Sequence, residues 1–189
     1  MPTKDRLPPI PTEKMTAEQK RAADEFAAGR GYAARGPFAV MLRSPEVMLR
    51  AKAMGDYLRF RNVLPKRVSE MVILITAREW TQQYEWAHHY GFAVKEGLSK
   101  AIIEAIADGR RPEVMSEDEA AAYDFSIELQ RRRSVTDATY ARALKQFGEQ
   151  GIIDMIGLNG YYTFNAMMMN VAGTKVDMHD VPLLKHFPD

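Results

Sequence analysis

The sequence predicts an all-α, single-domain helical bundle of seven to eight helices, on three observations. Apolar residues recur at helical spacing along most of the chain. The segments that carry them open on capping residues and close on glycine. No run shows the apolar–polar alternation between turn residues that marks a strand. VILIT (Val72 to Thr76) is β-prone in isolation, but it lies inside a helical pattern with no turn signal at either end. At 189 residues the chain suits one domain, long enough to bury roughly 70% of its unfolded surface.

Pro8, Pro9 and Pro11 make residues 1–14 an extended, proline-rich arm. The helical domain spans 15–175, and 176–189 form a C-terminal tail. Thr16 with Gln19 reads as a capping box for a helix to about Ala28, closed by Gly29 and Gly31. Gly36-Pro37 marks a turn. Ser44-Pro45-Glu46 opens the next helix, with serine at the N-cap, proline at the first position and an acid near the positive pole. Leu64-Pro65 precedes a helix with the apolar set Val68, Met71, Val72, Ile75 and Trp80, and a break is expected at Trp80-Thr81. A further run goes from Gln82 to about Glu96, with Gly97 at its end. Ser99 caps a short helix ending by Gly109. Ser116 with Glu119 opens one to about Arg133, and Asp137 to Phe147 follows, stopped by Gly148. The last helix runs from about Glu149 to Ala172.

Composition excludes several classes of chemistry. The formal net charge of +1 gives no basis for binding nucleic acid. The short run Arg131 to Arg133 falls at a helix end, where cations suit the macrodipole. With no cysteine there is no disulfide, thiol nucleophile or thiolate metal site. The polar N-terminus lacks the apolar segment of a secretory signal, and no apolar run approaches the roughly 20 residues of a membrane span. A cytoplasmic protein without membrane contact is expected.

Glu70 to Ser99 concentrates the acid–base chemistry. Two of the four histidines, His88 and His89, lie there beside Glu85, with Glu70 one helix earlier. The other two, His179 and His186, fall in the tail. Glu85 and His89 are four apart and Glu85 and His88 three apart, so each pair shares a helix face. A carboxylate beside an imidazole fixes its tautomer and favours its protonated form. Glu70 joins them if its helix packs against theirs. Such a cluster suits proton abstraction beside a carbonyl, or protonation of an enolate after loss of carbon dioxide. The plainer alternative is a surface helix pair worth a few tenths of a kcal/mol. A helical Glu-x-x-His also ligates metal in di-iron bundles, but those use a second such motif, which the other helices lack, so no metal is expected. Arg67 and Arg78 either hold a substrate carboxylate or, as the plainer reading, are surface charges. Tyr84, Trp86, Tyr90 and Phe92 read as core and interface aromatics, and Met167 to Met169 as core or subunit packing. Tyr161, Tyr162 and Asn165 are polar groups in an apolar helix; they either line the same pocket or make structural hydrogen bonds.

Taken together, Gly36-Pro37, Ser44-Pro45-Glu46, Leu64-Pro65, Glu70, Tyr84-Glu85-Trp86, His89 and Gly97-Leu98-Ser99 resemble the carboxymuconolactone decarboxylase family, which includes the alkylhydroperoxidase D-like proteins. GEQGIIDMIGLNGYY, from Gly148 to Tyr162, is similar to its longer members. The resemblance covers roughly residues 35 to 175. It implies an all-α fold and a dimer, trimer or hexamer. Its peroxidase branch relays protons through a glutamate, a Cys-x-x-Cys pair and a histidine. By resemblance the glutamate corresponds to Glu70 and the histidine to His89, while the cysteine positions fall on Gln82 and Glu85. A peroxidatic centre is therefore missing. The decarboxylase branch, also without the cysteine pair, implies acid–base chemistry on a lactone carboxylate. The expected protein is a homo-oligomeric, cofactor-independent enzyme acting on a small carboxylated lactone or carbonyl acid. His89, Glu85 and Glu70 are the candidate catalytic residues, and Tyr84, His88, Tyr162 and Asn165 the candidate substrate contacts. The rival expectation is a non-catalytic helical oligomer that binds a small ligand or a protein.

Overall fold

The structure, a computed structural model, describes residues 4–176, 178 and 180–186. Among them are eight α-helices, a 3-10 turn at Thr12–Lys14 and no strand. The helices are α1 (Ala17–Arg30), α2 (Pro37–Met41), α3 (Pro45–Phe60), α4 (Lys66–Glu79), α5 (Gln83–Lys95), α6 (Lys100–Ala107), α7 (Glu117–Arg132) and α8 (Asp137–Ala172). No helix among the described residues is long and apolar enough to cross a membrane.

Most boundaries follow the local signals. Thr16 Oγ1 accepts from the Gln19 amide while the Gln19 side chain accepts from the Thr16 amide, closing the capping box of α1. Gly31, at φ 76°, ends that helix in the left-handed conformation. The α4–α5 break falls at Trp80-Thr81, where Thr81 has φ 45°. Gly148, at φ 66° and ψ 179°, interrupts α8 in a region of backbone space that is essentially glycine's alone.

Two readings need correction. Gly36-Pro37 is the start of α2, with proline at the first helical position. Ser44 precedes α3 as expected, but its side chain makes no capping bond, so the proline and the acid define that start.

α4 is the axis of the molecule. Ten of its fourteen residues are buried, so it is apolar on every side and must be enclosed. α5, α6, α7 and α8 enclose it and form the main core with Leu74, Ile103, Phe125, Met155 and Leu158. A smaller core of Phe26, Phe38, Met41 and Met48 joins α1, α2 and α3. This second layer packs on α8 through α2 and α3. Gly55 and Gly157 allow the close approach of α3 to α8: a Cβ at either would collide with Tyr161 or Leu58 respectively.

Both terminal segments are fastened to the bundle. The Arg6 amide donates to the Ala172 carbonyl at 2.6 Å, and Arg43 Nη2 donates to the Pro8 carbonyl at 2.6 Å. In the tail, Trp86 Nε1 donates to the Pro182 carbonyl at 2.9 Å, and the Gln83 side chain bonds both the amide and the carbonyl of Leu184. Arg78 donates to the Lys185 carbonyl.

Candidate active site

The α4–α5 hairpin builds the cluster. The break at Trp80-Thr81 turns the chain back, so Glu70 in the middle of α4 faces His89 in the middle of α5. His89 Nδ1 lies 2.6 Å from Glu70 Oε2, and His89 Nε2 lies 3.5 Å from Glu85 Oε2. An ionised carboxylate only accepts, so the Glu70 bond assigns the proton to Nδ1 and turns Nε2 toward Glu85. His89 and Glu85 are 1% and 3% exposed, which removes the surface-pair alternative.

Glu85 meets His89 through Oε2. Its Oε1 is buried with no hydrogen-bond partner among the described residues. Burial pushes its carboxyl group above the ordinary range; His89 and Arg59 work in the opposite direction. A neutral, buried carboxylic acid is a donor as well as an acceptor. Asn165 lies beside Glu85, and its Oδ1 is likewise buried and unpartnered. Both residues border the same space.

That space is a cavity of about 40 Å³ between the α1–α3 layer and the α5–α8 pair. The structure brings Tyr84, Glu85, His88, His89, Tyr162 and Asn165 to its wall, together with Tyr161. Tyr162 packs edge-on against His89 at 5.1 Å. Burial raises the pKa of both Tyr161 and Tyr162, leaving their hydroxyls protonated and able to donate. Glu70 reaches the site only through His89. His186 is exposed at the far end of the tail, and His179 lies outside the described residues.

Three residues not found from the sequence complete the cavity: Arg30, Arg35 and Arg59. Arg30 is paired with Asp56, Nη2 to Oδ1 at 2.6 Å, at an angle outside hydrogen-bond geometry. The Arg35 and Arg59 guanidiniums have neither a hydrogen bond nor an ion pair among the described residues. Arg35 lies over Tyr32 and Arg59 over Phe60 and Phe92. They belong to the layer opposite α5, so no spacing rule within one helix could have joined them to His89. The arginines singled out from the sequence lie elsewhere. Arg67 is bonded to Asp118 and Glu119, and Arg78 is buried against the tail rather than on the surface. Arg131, of the basic run, pairs with Glu79.

His88 stands at the cavity edge, stacked on Tyr84 with ring centroids 6.1 Å apart. Its pKa falls to about 3, first through desolvation and then through His89, Arg59 and Arg35. The folded state therefore holds His88 neutral, while the unfolded chain protonates it at the ordinary value near 6.5. The stability this neutral ring preserves is complete above about pH 6.5 and is lost as pH falls toward 3, on the order of a few kcal/mol. Denaturant titrations across this window should show wild type losing stability more steeply than His88→Gln. Parallel curves would contradict the burial of a neutral ring.

Against known proteins, no family model matches the sequence, and no curated protein matches it. Solved structures do. The debrominase Bmp8, as a cysteine-to-alanine variant in complex with 2,3,4-tribromopyrrole, superposes with a TM-score of 0.71 at 11% identity, over 93% of each chain. The alkylhydroperoxidase AhpD core of an uncharacterized peroxidase-related protein from Ralstonia eutropha gives 0.73 at 15% identity, over 91% of this chain and 92% of that one. A protein of unknown function from Agrobacterium tumefaciens gives 0.63 at 13% identity, over 74% of this chain and 96% of that one. The fold is alkylhydroperoxidase D-like. These low identities carry the architecture and no further.

Proposed function

We propose that the protein is a cytoplasmic, homo-oligomeric enzyme of the carboxymuconolactone decarboxylase-like type, performing acid–base chemistry on a small carboxylated lactone or carbonyl acid. The observation that carries this reading is the meeting of His89 and Glu85 at one cavity, with Glu70 behind His89, where two guanidiniums have no hydrogen bond or ion pair among the described residues. Arg35 and Arg59 offer charge to a carboxylate. Glu85 in its protonated form, which burial favours, donates with Tyr162 to a carbonyl oxygen. In a decarboxylation the bond to the carboxyl carbon breaks and carbon dioxide leaves. The electron pair spreads onto the carbonyl oxygen as an enolate, which these donors stabilise. Carbon then takes the Nε2 proton of His89 in its doubly protonated form, which Glu70 steadies through Nδ1, and the ring recovers that proton from water. The bond broken supplies the electrons, so the cycle needs no redox partner.

The positions that resemble the cysteine pair of the peroxidase branch serve other ends here. Gln82 caps α5, accepting from the Tyr84 amide at 2.6 Å and the Glu85 amide at 3.3 Å, and donates to Asn170 at 2.9 Å. A screen of carboxylated lactones and β-keto acids should give carbon dioxide release. Alkyl hydroperoxide with a thiol-recycling partner should be untouched. Peroxide turnover above background, with no carbon dioxide from any acid, would reverse the assignment.

Assembly is supported by a surface that overlaps the expected one at Met167. Trp86 and Met169 are core residues, so neither the aromatic α5 face nor the full methionine run is presented to a partner. The apolar surface instead follows α8. Ile153, Ile156, Phe164, Met167 and Val171 are all exposed, Ile153 at 66% and Val171 at 64%, and no charged residue occurs from 155 to 174. The stripe is symmetric about exposed Gly160: Ile156 and Phe164 lie four residues either side, Ile153 and Met167 seven. A second copy crossing antiparallel at Gly160 would set each isoleucine against an aromatic or a methionine, as a two-fold interface requires. Light scattering should give a multiple of 21.4 kDa, and the pair Ile156→Glu with Phe164→Glu should reduce it. A wild-type monomer at micromolar concentration would exclude this assembly. The same stripe also suits the rival reading, a helical binding oligomer without catalysis, which the absence of turnover on every acid would favour.

A further inference from the structure

We propose that the site is built for an elongated carboxylate, whose charged head enters the inner cavity and whose apolar body lies in a second chamber walled by the N-terminal arm. This rests on the reading above of Arg35 and Arg59 as carboxylate-holding groups, and it names the shape of the ligand they hold.

The two spaces differ in size and lining. The inner cavity, about 40 Å³, has room for two or three waters or for one carboxyl group with its neighbouring carbon. It cannot take a drug-sized molecule, whose pockets run to several hundred Å³. Beside it lies an outer chamber of about 510 Å³, open to solvent. Arg35, Tyr84 and His88 line both, so they form the partition between them. Beyond that partition Leu7, Pro9, Ala34, Val40 and Met178 give an apolar wall, and Asp5, Thr174 and Lys175 add polar groups to it. The three arginines are gathered at the inner end, and the apolar residues of the outer chamber offer surface to a hydrocarbon.

The partition has a constructed form. Tyr84 lies against Gly36, where a Cβ would sit 2.5 Å from its ring, and Gly36 has φ 55°. Only glycine leaves the ring that position. The outer wall is fixed too, since the arm is bonded through Arg6 to Ala172 and through Pro8 to Arg43. The proline-rich arm thereby acquires a role that its sequence did not disclose. Neutral His88 in the partition adds no charge that a hydrocarbon body would have to desolvate.

The test is a binding series of straight-chain carboxylates, butyrate, hexanoate, octanoate and decanoate, measured by calorimetry on the full-length protein. Full burial of a methylene corresponds to roughly fourfold in affinity. The chamber is partly open, so a gain of about two- to threefold per methylene is expected beyond butyrate. Ala34→Phe, placed in the chamber wall, should abolish that gain, with a circular dichroism spectrum matching wild type to show that the variant is folded. Butyrate bound normally but no tighter binding along the series would overturn the chamber while leaving the head site standing. Absence of binding by every acid, or binding indifferent to Arg59→Ala, would overturn the head site and the chamber with it.

Discussion

Replacing His89 by alanine is expected to lower kcat on a decarboxylated substrate by about 10²- to 10⁴-fold, the usual contribution of a general acid or base. The protein should remain folded. His89 is enclosed on both faces, Nδ1 at 2.6 Å from Glu70 and Nε2 at 3.5 Å from Glu85, so no other imidazole can take its place. His88 adjoins it in sequence, but its pKa near 3 leaves it without a proton to give at neutral pH. Glu70→Gln should fall in the same range, because an amide can present its donor to Nδ1 and so favour the wrong tautomer. His186→Ala should leave turnover unchanged, since that ring is exposed and does not line the cavity. Steady-state kinetics checked against circular dichroism decides the matter. Full activity in a folded His89→Ala protein would reduce the cluster to a structural pair.

The second large effect is on stability. Trp86 is almost wholly buried beside the two reactive positions of α5, and its Nε1 holds the Pro182 carbonyl. Trp86→Ala should cost about 3–5 kcal/mol by opening a cavity. At fixed protein concentration this lowers the melting temperature by roughly 6–20 °C. Because the indole also fastens the tail, residues 180–186 should gain amide exchange ahead of the core. A variant melting within two or three degrees of wild type, with the tail still protected, would mean that the indole is not the pin it is taken to be.

The helices were legible in the sequence because their ends are written locally. Thr16 with Gln19, Gly31 and Gly148 act over a few residues, and Val72 to Thr76 reads correctly as helix once its neighbours are counted. Gly36-Pro37 misled because one proline signal serves both a turn and a helix start, and only the packing of Phe38 and Met41 into the small core distinguishes them. On the site, Glu85 and His89 share a face by arithmetic, and Glu70 is placed by the hairpin that the break at Trp80-Thr81 makes necessary. Arg30, Arg35 and Arg59 were not legible. They come from α1, the loop before α2 and α3, and they reach the cavity only because Gly55 and Gly157 let that layer settle on α8. Nor could the spacing show that α8 turns Met169 inward and Ile153 outward, since each helical position has neighbours that only the assembled bundle decides.

A double-mutant cycle on a carboxylated lactone or β-keto acid tests the central claim most directly, with Glu70→Gln, His89→Ala and the two combined compared by kcat. Groups that act as one proton-transfer unit lose their effect together. The account predicts that the double variant is no slower than His89→Ala alone. Losses that multiply, with the double variant slower than either single variant by the full product, would show that Glu70 and His89 act independently and would contradict it.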